Sequence, residues 1–65
     1  MVNRVKERRT YFGWSQQELA DKVKCGASTI SEIEKEKHEP RATLCIRLAR
    51  ALDMSVEELF GGEVT

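Results

Sequence analysis

Gln16-Gln17-Glu18-Leu19-Ala20-Asp21-Lys22-Val23-Lys24-Cys25-Gly26-Ala27-Ser28-Thr29-Ile30-Ser31-Glu32-Ile33 is the stretch from which the fold can be read. Its apolar residues recur at helical intervals on either side of Gly26, the pattern of two short helices joined by a tight turn. Such a pair turns Leu19, Val23, Ile30 and Ile33 inward and leaves a small polar face outward. Ala20 is small enough to let the helices cross closely, and Ile30 and Ile33 close the wedge from the facing side. Cys25, in the turn, is expected to plug the gap as a small hydrophobe.

Ser15-Gln16-Gln17-Glu18 has the S-x-x-E form of a capping box, in which the Ser15 hydroxyl and the Glu18 carboxylate satisfy backbone donors of the first turn. This places a helix start at Ser15, and the cap alone is worth about 1 kcal/mol. Gly26 serves as the next N-cap, so the second helix of the pair is expected from about Ala27 to about Glu36. Ser31-x-x-Glu34 has the same form but lies mid-helix and marks no start. A helix propped outward by buried aliphatic residues and backed by a steeply crossing partner is what reading a DNA major groove about 12 Å wide requires.

Upstream, Val2, Val5, Arg9 and Phe12 recur at helical spacing and predict a helix from about Asn3 to Phe12, ended by Gly13. Trp14 is expected beside it as a core filler. Downstream, Pro40 blocks continuation of the third helix, and its fixed φ suits the start of a fourth, expected over about 41–52. On that helix Cys45, Leu48, Ala49 and Leu52 form an inward stripe, Leu44 and Ile46 flank it half covered, and Arg47 and Arg50 face solvent. Ser55-Val56-Glu57-Glu58 repeats the capping-box form before Leu59 and Phe60, so a fifth helix is expected over about 56–60. Gly61 and Gly62 stop it, and the last three residues are expected to fray.

The chain of 65 residues is expected to form one all-α domain, 1–65, with a small core, since so short a chain buries only about 60% of its unfolded surface. Stability is therefore expected to be marginal, or shared through self-association. Cys25 and Cys45 form no C-x-x-C pair and follow no secretory leader, the pattern of packing thiols in a reduced, cytoplasmic protein. No apolar run approaches the roughly 20 residues a membrane span needs, and low-complexity tracts and internal repeats are missing. Net charge is zero, but the charges are segregated. Residues 1–50 hold all 11 Lys and Arg against 7 acids, whereas residues 51–65 hold Asp53, Glu57, Glu58 and Glu63 and no base. Such a dipole can turn its basic body to phosphate and hold its acidic end away.

An enzyme is not indicated. His38, the single histidine, lies in a charged stretch with no serine or cysteine nucleophile at a supporting spacing. No Cys/His cluster offers zinc ligands, and no glycine-rich loop follows a strand. No catalytic residue, metal ligand, cofactor or small-molecule substrate is therefore expected.

With these residues in view, the chain resembles the phage-repressor type of helix-turn-helix protein, the Xre or Cro family, over about residues 4–60. The resemblance is carried by Ser15-Gln16-Gln17-Glu18-Leu19-Ala20, Ser28-Thr29-Ile30-Ser31-Glu32-Ile33-Glu34, Pro40, Leu48-Ala49-Arg50-Ala51-Leu52 and Ser55-Val56-Glu57-Glu58-Leu59-Phe60. It implies a compact five-helix, lambda-repressor-like domain that binds double-stranded operator DNA as a homodimer and regulates transcription as a repressor. The third helix would lie in the major groove. By the same resemblance Ala27, Ser28 and Glu32 face base edges, with Thr29 and Ser31 within reach as secondary contacts. The Ala27 methyl suits a thymine methyl, Ser28 can donate or accept, and Glu32 can accept from a cytosine amino group.

Gln16, at a helix N-terminus, matches a phosphate-binding position. Lys35, Lys37, His38 and Arg41, around the loop after the reading helix, fit phosphate contacts. Arg9 and Glu34 match a pair that ties the first helix to the third. Few base contacts, at about 1 to 3 kcal/mol each, give limited specificity, so two copies on a palindromic site with half-sites about one helical turn apart are implied. The apolar surface left at the C-terminal end, Met54, Val56, Leu59 and Phe60 with Leu44 or Ile46, is the expected dimer interface.

Departures from the family pattern bear on the site. Lys24 stands where a turn glycine is usual, so either Lys24 takes a left-handed conformation, costing about 1 kcal/mol, or Gly26 absorbs the bend. Glu36 replaces a glycine after the third helix and is expected to lengthen it. Arg8 and Cys45 replace leucines, which trims the core. Glu32, Glu34, Glu36 and Glu39 make the region of the third helix acidic. That acidity supports an alternative, a protein-interaction adaptor that keeps the fold and reads no DNA.

Overall fold

Ser15 and Ser55 each begin a helix through a reciprocal pair of bonds. Their hydroxyls accept from the backbone N–H of Glu18 and Glu58 at 3.0 Å, and those glutamates accept from the serine N–H groups at 2.7 and 3.0 Å. Bonds to the Ser55 backbone and hydroxyl hold the Glu58 carboxyl below its ordinary pKa. The computed structural model describes residues 3–60 and contains α1 (Val5–Tyr11), α2 (Gln16–Val23), α3 (Ala27–Glu34), α4 (Ala42–Leu52) and α5 (Val56–Leu59). The described residues contain no strand. The expectations for Val2 and for residues 61–65 lie outside the described residues.

The first four helices all stop on a left-handed residue: Gly13, Lys24, Glu36 and Asp53, with φ of 76°, 62°, 62° and 58°. After each, one backbone N–H reaches five residues back to a carbonyl near the end of the helix. Trp14 bonds Arg9, Cys25 bonds Ala20, Lys37 bonds Glu32 and Met54 bonds Ala49, at 2.9–3.1 Å. The open question at the α2–α3 turn is thereby answered, because Lys24 carries the bend while Gly26 is extended, φ −87° and ψ 153°, as the N-cap of α3. The same geometry corrects the expected extension of α3 to Glu36. The helix ends at Glu34, and Glu36 adopts the conformation a glycine would have taken there.

Other boundaries move by smaller amounts. Asn3 stands outside α1, its side-chain oxygen accepting from Val5 N–H at 3.2 Å, and Phe12 is its C-cap. Arg41 is the extended N-cap of α4, and Phe60 closes α5.

The core is Val5, Leu19, Ala20, Val23, Ile30, Ile33, Leu48, Ala49, Leu52 and Leu59, all apolar. Trp14 and Cys25 are half-buried against it. Phe12 lies largely outside the core and stacks on Trp14, with ring centroids 4.7 Å apart. The inward stripe expected on α4 is corrected. Cys45 is half-buried but its thiol turns to the Pro40 carbonyl, 3.5 Å away, while Leu44 packs against the core in its place. Leu44, Leu48, Ala51 and Leu52 follow the i, i+4, i+7, i+8 pattern of one helical face, and this leaves Ile46 outward.

Residues in α1 and just before it fasten the ends of three other helices. The Asn3 amide donates to the Ile33 carbonyl of α3 at 2.8 Å, and Arg8 Nε donates to the Leu52 carbonyl of α4 at 3.1 Å. Arg4 uses its N–H on the Leu59 carbonyl and its guanidinium on that of Glu58, at the end of α5. Each bond goes to a carbonyl in the last turn of its helix, where intrahelical donors run out. Arg8 thus replaces an apolar contact with a cap, and its guanidinium lies 4.7 Å and 5.1 Å from the Tyr11 and Phe12 ring centroids.

Candidate nucleic-acid interface

Burial of Ile30 and Ile33 against α2 fixes which side of α3 faces out. Ser28 and Glu32, one turn apart, are exposed, and Ala27, Thr29 and Ser31 flank them half-buried. The outer face therefore offers a hydroxyl and a carboxylate, groups that can donate to or accept from base edges.

The far end of α3 is held by one polar cluster. Arg9 Nε donates to Glu34 Oε2 at 2.8 Å and Nη2 to Oε1 at 3.3 Å, a two-pronged ion pair whose side chains are only 11% and 5% exposed. The third guanidinium nitrogen of Arg9 donates to the Trp14 carbonyl at 2.8 Å, and Gln16 Nε2 donates to Glu34 Oε1 at 3.0 Å. The cluster joins α1, the loop before α2, the first residue of α2 and the last of α3. No buried side-chain nitrogen or oxygen among the described residues lacks a partner. Gln16, expected on phosphate, thus spends one amide N–H on Glu34 and keeps a second.

The basic residues do not lie on α3, whose sequence ASTISEIE holds no cation. Lys35, Lys37, His38 and Arg41 are exposed around the α3–α4 loop. His38 and Arg41 also line a groove with Lys24 and Cys25 of the α2–α3 turn and with Thr43, Leu44 and Arg47 of α4. The sequence alone does not mark Lys24 and Arg47 as neighbours. Their convergence needs α4 to fold back beside the turn, and no local pattern announces that.

At the C-terminal end the expected interface is only partly available. Leu59 is fully buried in the chain's own core, anchored under α1 by the Arg4–Leu59 backbone bond, and cannot meet a partner. Met54 and Phe60 are half-buried against that core, whereas Val56 and Ile46 are 38% and 47% exposed.

Burial raises the thiol pKa of Cys25, and burial together with the Glu39 charge raises that of Cys45; both are free. Among the described residues no group of three or more His, Cys, Asp or Glu could hold a metal ion, and no helix is long and apolar enough to cross a membrane.

Five helices, the second and third packed as a crossed pair with a polar outer face, define a helix-turn-helix domain. The sequence matches the helix-turn-helix family over residues 5–59, and the chain belongs to that family. It is 37% identical over 60 residues to the HTH-type transcriptional regulator YgzD of Bacillus subtilis, covering 92% of this chain and 91% of that one. An HTH-type transcriptional regulator of Archaeoglobus fulgidus is 38% identical over 60 residues, with 92% and 86% covered. Among solved structures, the restriction-modification controller protein C.AhdI of Aeromonas hydrophila superposes with a TM-score of 0.80 at 33% identity, over 88% of this chain and 86% of that one. The N-terminal DNA-binding domain of SinR from Bacillus subtilis does so with a TM-score of 0.82 at 30% identity, over 95% and 91%. The chain is an Xre-like, DNA-binding transcriptional regulator.

Proposed function

We propose that residues 1–65 act as one domain that represses transcription in the cytoplasm by binding a palindromic operator as a homodimer, with α3 in the major groove. Ser28 and Glu32 read base edges, Ala27 offers its methyl to thymine, and Thr29 and Ser31 make secondary contacts. Gln16, Lys35, Lys37, His38 and Arg41 hold phosphates. The observation that carries this reading is the exposed Ser28–Glu32 face on a helix whose opposite side is sealed by Ile30 and Ile33. The second Gln16 N–H at the start of α2 suits a phosphate oxygen, favoured there by the helix N-terminus. Met54, Val56 and Phe60, with Ile46, remain the dimer face. Against the adaptor alternative, Glu34 is neutralised by Arg9 and does not add to an acidic docking surface.

Selection of bound duplexes from a random pool tests the reading. Ser28→Ala and Glu32→Ala should change the preferred sequence, whereas Gln16→Ala and Arg41→Ala should weaken all duplexes alike. Identical behaviour of the four variants would refute the division into base and phosphate contacts. A selected site without dyad symmetry, or a monomer by sedimentation at micromolar concentration, would refute the homodimer.

A further inference from the structure

We infer that the groove between the α2–α3 turn and α4 clasps a DNA phosphate, with Lys24 and Arg47 as anchors beside Arg41. This rests on the DNA reading above and adds a contact point to it. Three separate elements contribute: the α2–α3 turn supplies Lys24, the N-cap of α4 supplies Arg41, and the next turns of α4 supply Thr43 and Arg47. No acidic side chain lines the groove, although the chain as a whole holds as many acids as bases. Lys24, Arg41 and Arg47 are exposed and form no ion pair or side-chain hydrogen bond with any described residue. Three like charges around one opening repel one another, and an anion relieves that repulsion.

The position of the groove identifies the anion. It is lined by Lys24 and Cys25, in the turn that leads into α3, while Gln16 sits against Glu34 at the far end of the same helix. The eight residues of α3 span about 12 Å at 1.5 Å each, close to the width of the major groove, about 12 Å. An anchor at each end of the helix therefore matches the separation of the two sugar-phosphate strands that border the groove. Lys24 serves two purposes on this view, turning the chain by its left-handed backbone and presenting its ammonium to the phosphate.

Fluorescence anisotropy with a 20-bp duplex of mixed sequence, titrated at several salt concentrations, tests the inference. Each neutralised phosphate contributes a slope of about 0.9 in log K against log salt. Lys24→Asn, which tolerates the left-handed conformation, and Arg47→Gln should each lower the wild-type slope by part of the contribution of one phosphate, and together by about 0.9, without altering sequence preference. Arg50→Gln, exposed on the same helix outside the groove, should leave the slope unchanged. A steep wild-type slope that survives both groove substitutions would overturn the clasp alone. A flat wild-type slope would overturn the DNA reading and the clasp with it.

Discussion

Replacing Glu34 by leucine should strongly destabilise this domain, and replacing Arg9 by methionine in addition should restore most of the loss. The pair is 11% and 5% exposed, so either charge left without its partner remains largely removed from water. Breaking such a pair from one side costs about 3–5 kcal/mol, whereas replacing both members by apolar residues of similar volume is close to neutral. The remaining exposure places Glu34→Leu near the lower figure, about 3 kcal/mol. At about 0.05–0.15 kcal/mol per residue, a chain of 65 residues has only about 3–10 kcal/mol of stability, so the single change removes a third or more of it. In melting temperature this is a fall of about 12–24 °C, at about 4–8 °C per kcal/mol for a domain of this size. Urea and thermal unfolding followed through Trp14, the only tryptophan and itself bonded to Arg9 through its carbonyl, give the measurement directly. The reasoning is refuted if Glu34→Leu costs under 1 kcal/mol, or if the losses of the two single variants simply add in the double variant.

Lys24→Gly should stabilise the fold by about 0.5–1 kcal/mol, since relief of a left-handed lysine outweighs the added freedom of glycine in the unfolded chain. The same substitution should lower duplex affinity; a melting temperature unchanged or reduced would show that the Lys24 backbone is unstrained. Glu58 gives a pH signature. Its folded-state pKa lies below the ordinary glutamate value of about 4.3, so its stabilising bonds are fully present above that pH and are lost as pH falls through the folded value. Glu58→Gln should therefore flatten the acid limb of the stability–pH curve below about pH 4.3, and an unaltered limb would refute the assignment.

What could be read along the chain was local or periodic. Ser15 and Ser55 announce their helices because a capping box is complete within four residues, and Leu19, Val23, Ile30 and Ile33 announce the crossed pair by spacing alone. The end of α3 was not legible, since the stop lies in a left-handed glutamate rather than in a residue that prefers that conformation. Leu44 and Cys45 are adjacent, and which of them turns inward depends on what α4 packs against rather than on its own composition. Leu59 read equally well as core or as interface until the Arg4 backbone bond drew α5 under α1. Arg9 and Glu34 are 25 residues apart and Lys24 and Arg47 are 23 apart, so neither pairing has a local signature. Resemblance to a family supplied the first, and only the folded chain supplied the second.

The placement of charge suggests how affinity and specificity are divided on the proposed reading. A reading helix without a single cation, carrying Glu32 outward, is repelled by phosphate and adds nothing to non-specific attraction. Attraction must come from the cations that frame it, in the α2–α3 turn, the α3–α4 loop and α4, and these see every sequence alike. Glu32 then acts chiefly by rejection. A carboxylate only accepts, so it is matched by a cytosine amino group and left unpaired against guanine O6 and N7 or thymine O4, in a groove from which water has been displaced. The penalty for that mismatch is larger than the gain from the match, because a desolvated charge without a donor costs more than one good bond returns. Glu32→Gln should therefore raise affinity for non-cognate duplexes more than it lowers affinity for the cognate one, since an amide both donates and accepts. Equal losses on cognate and non-cognate duplexes would instead show Glu32 to be outside the base-reading set.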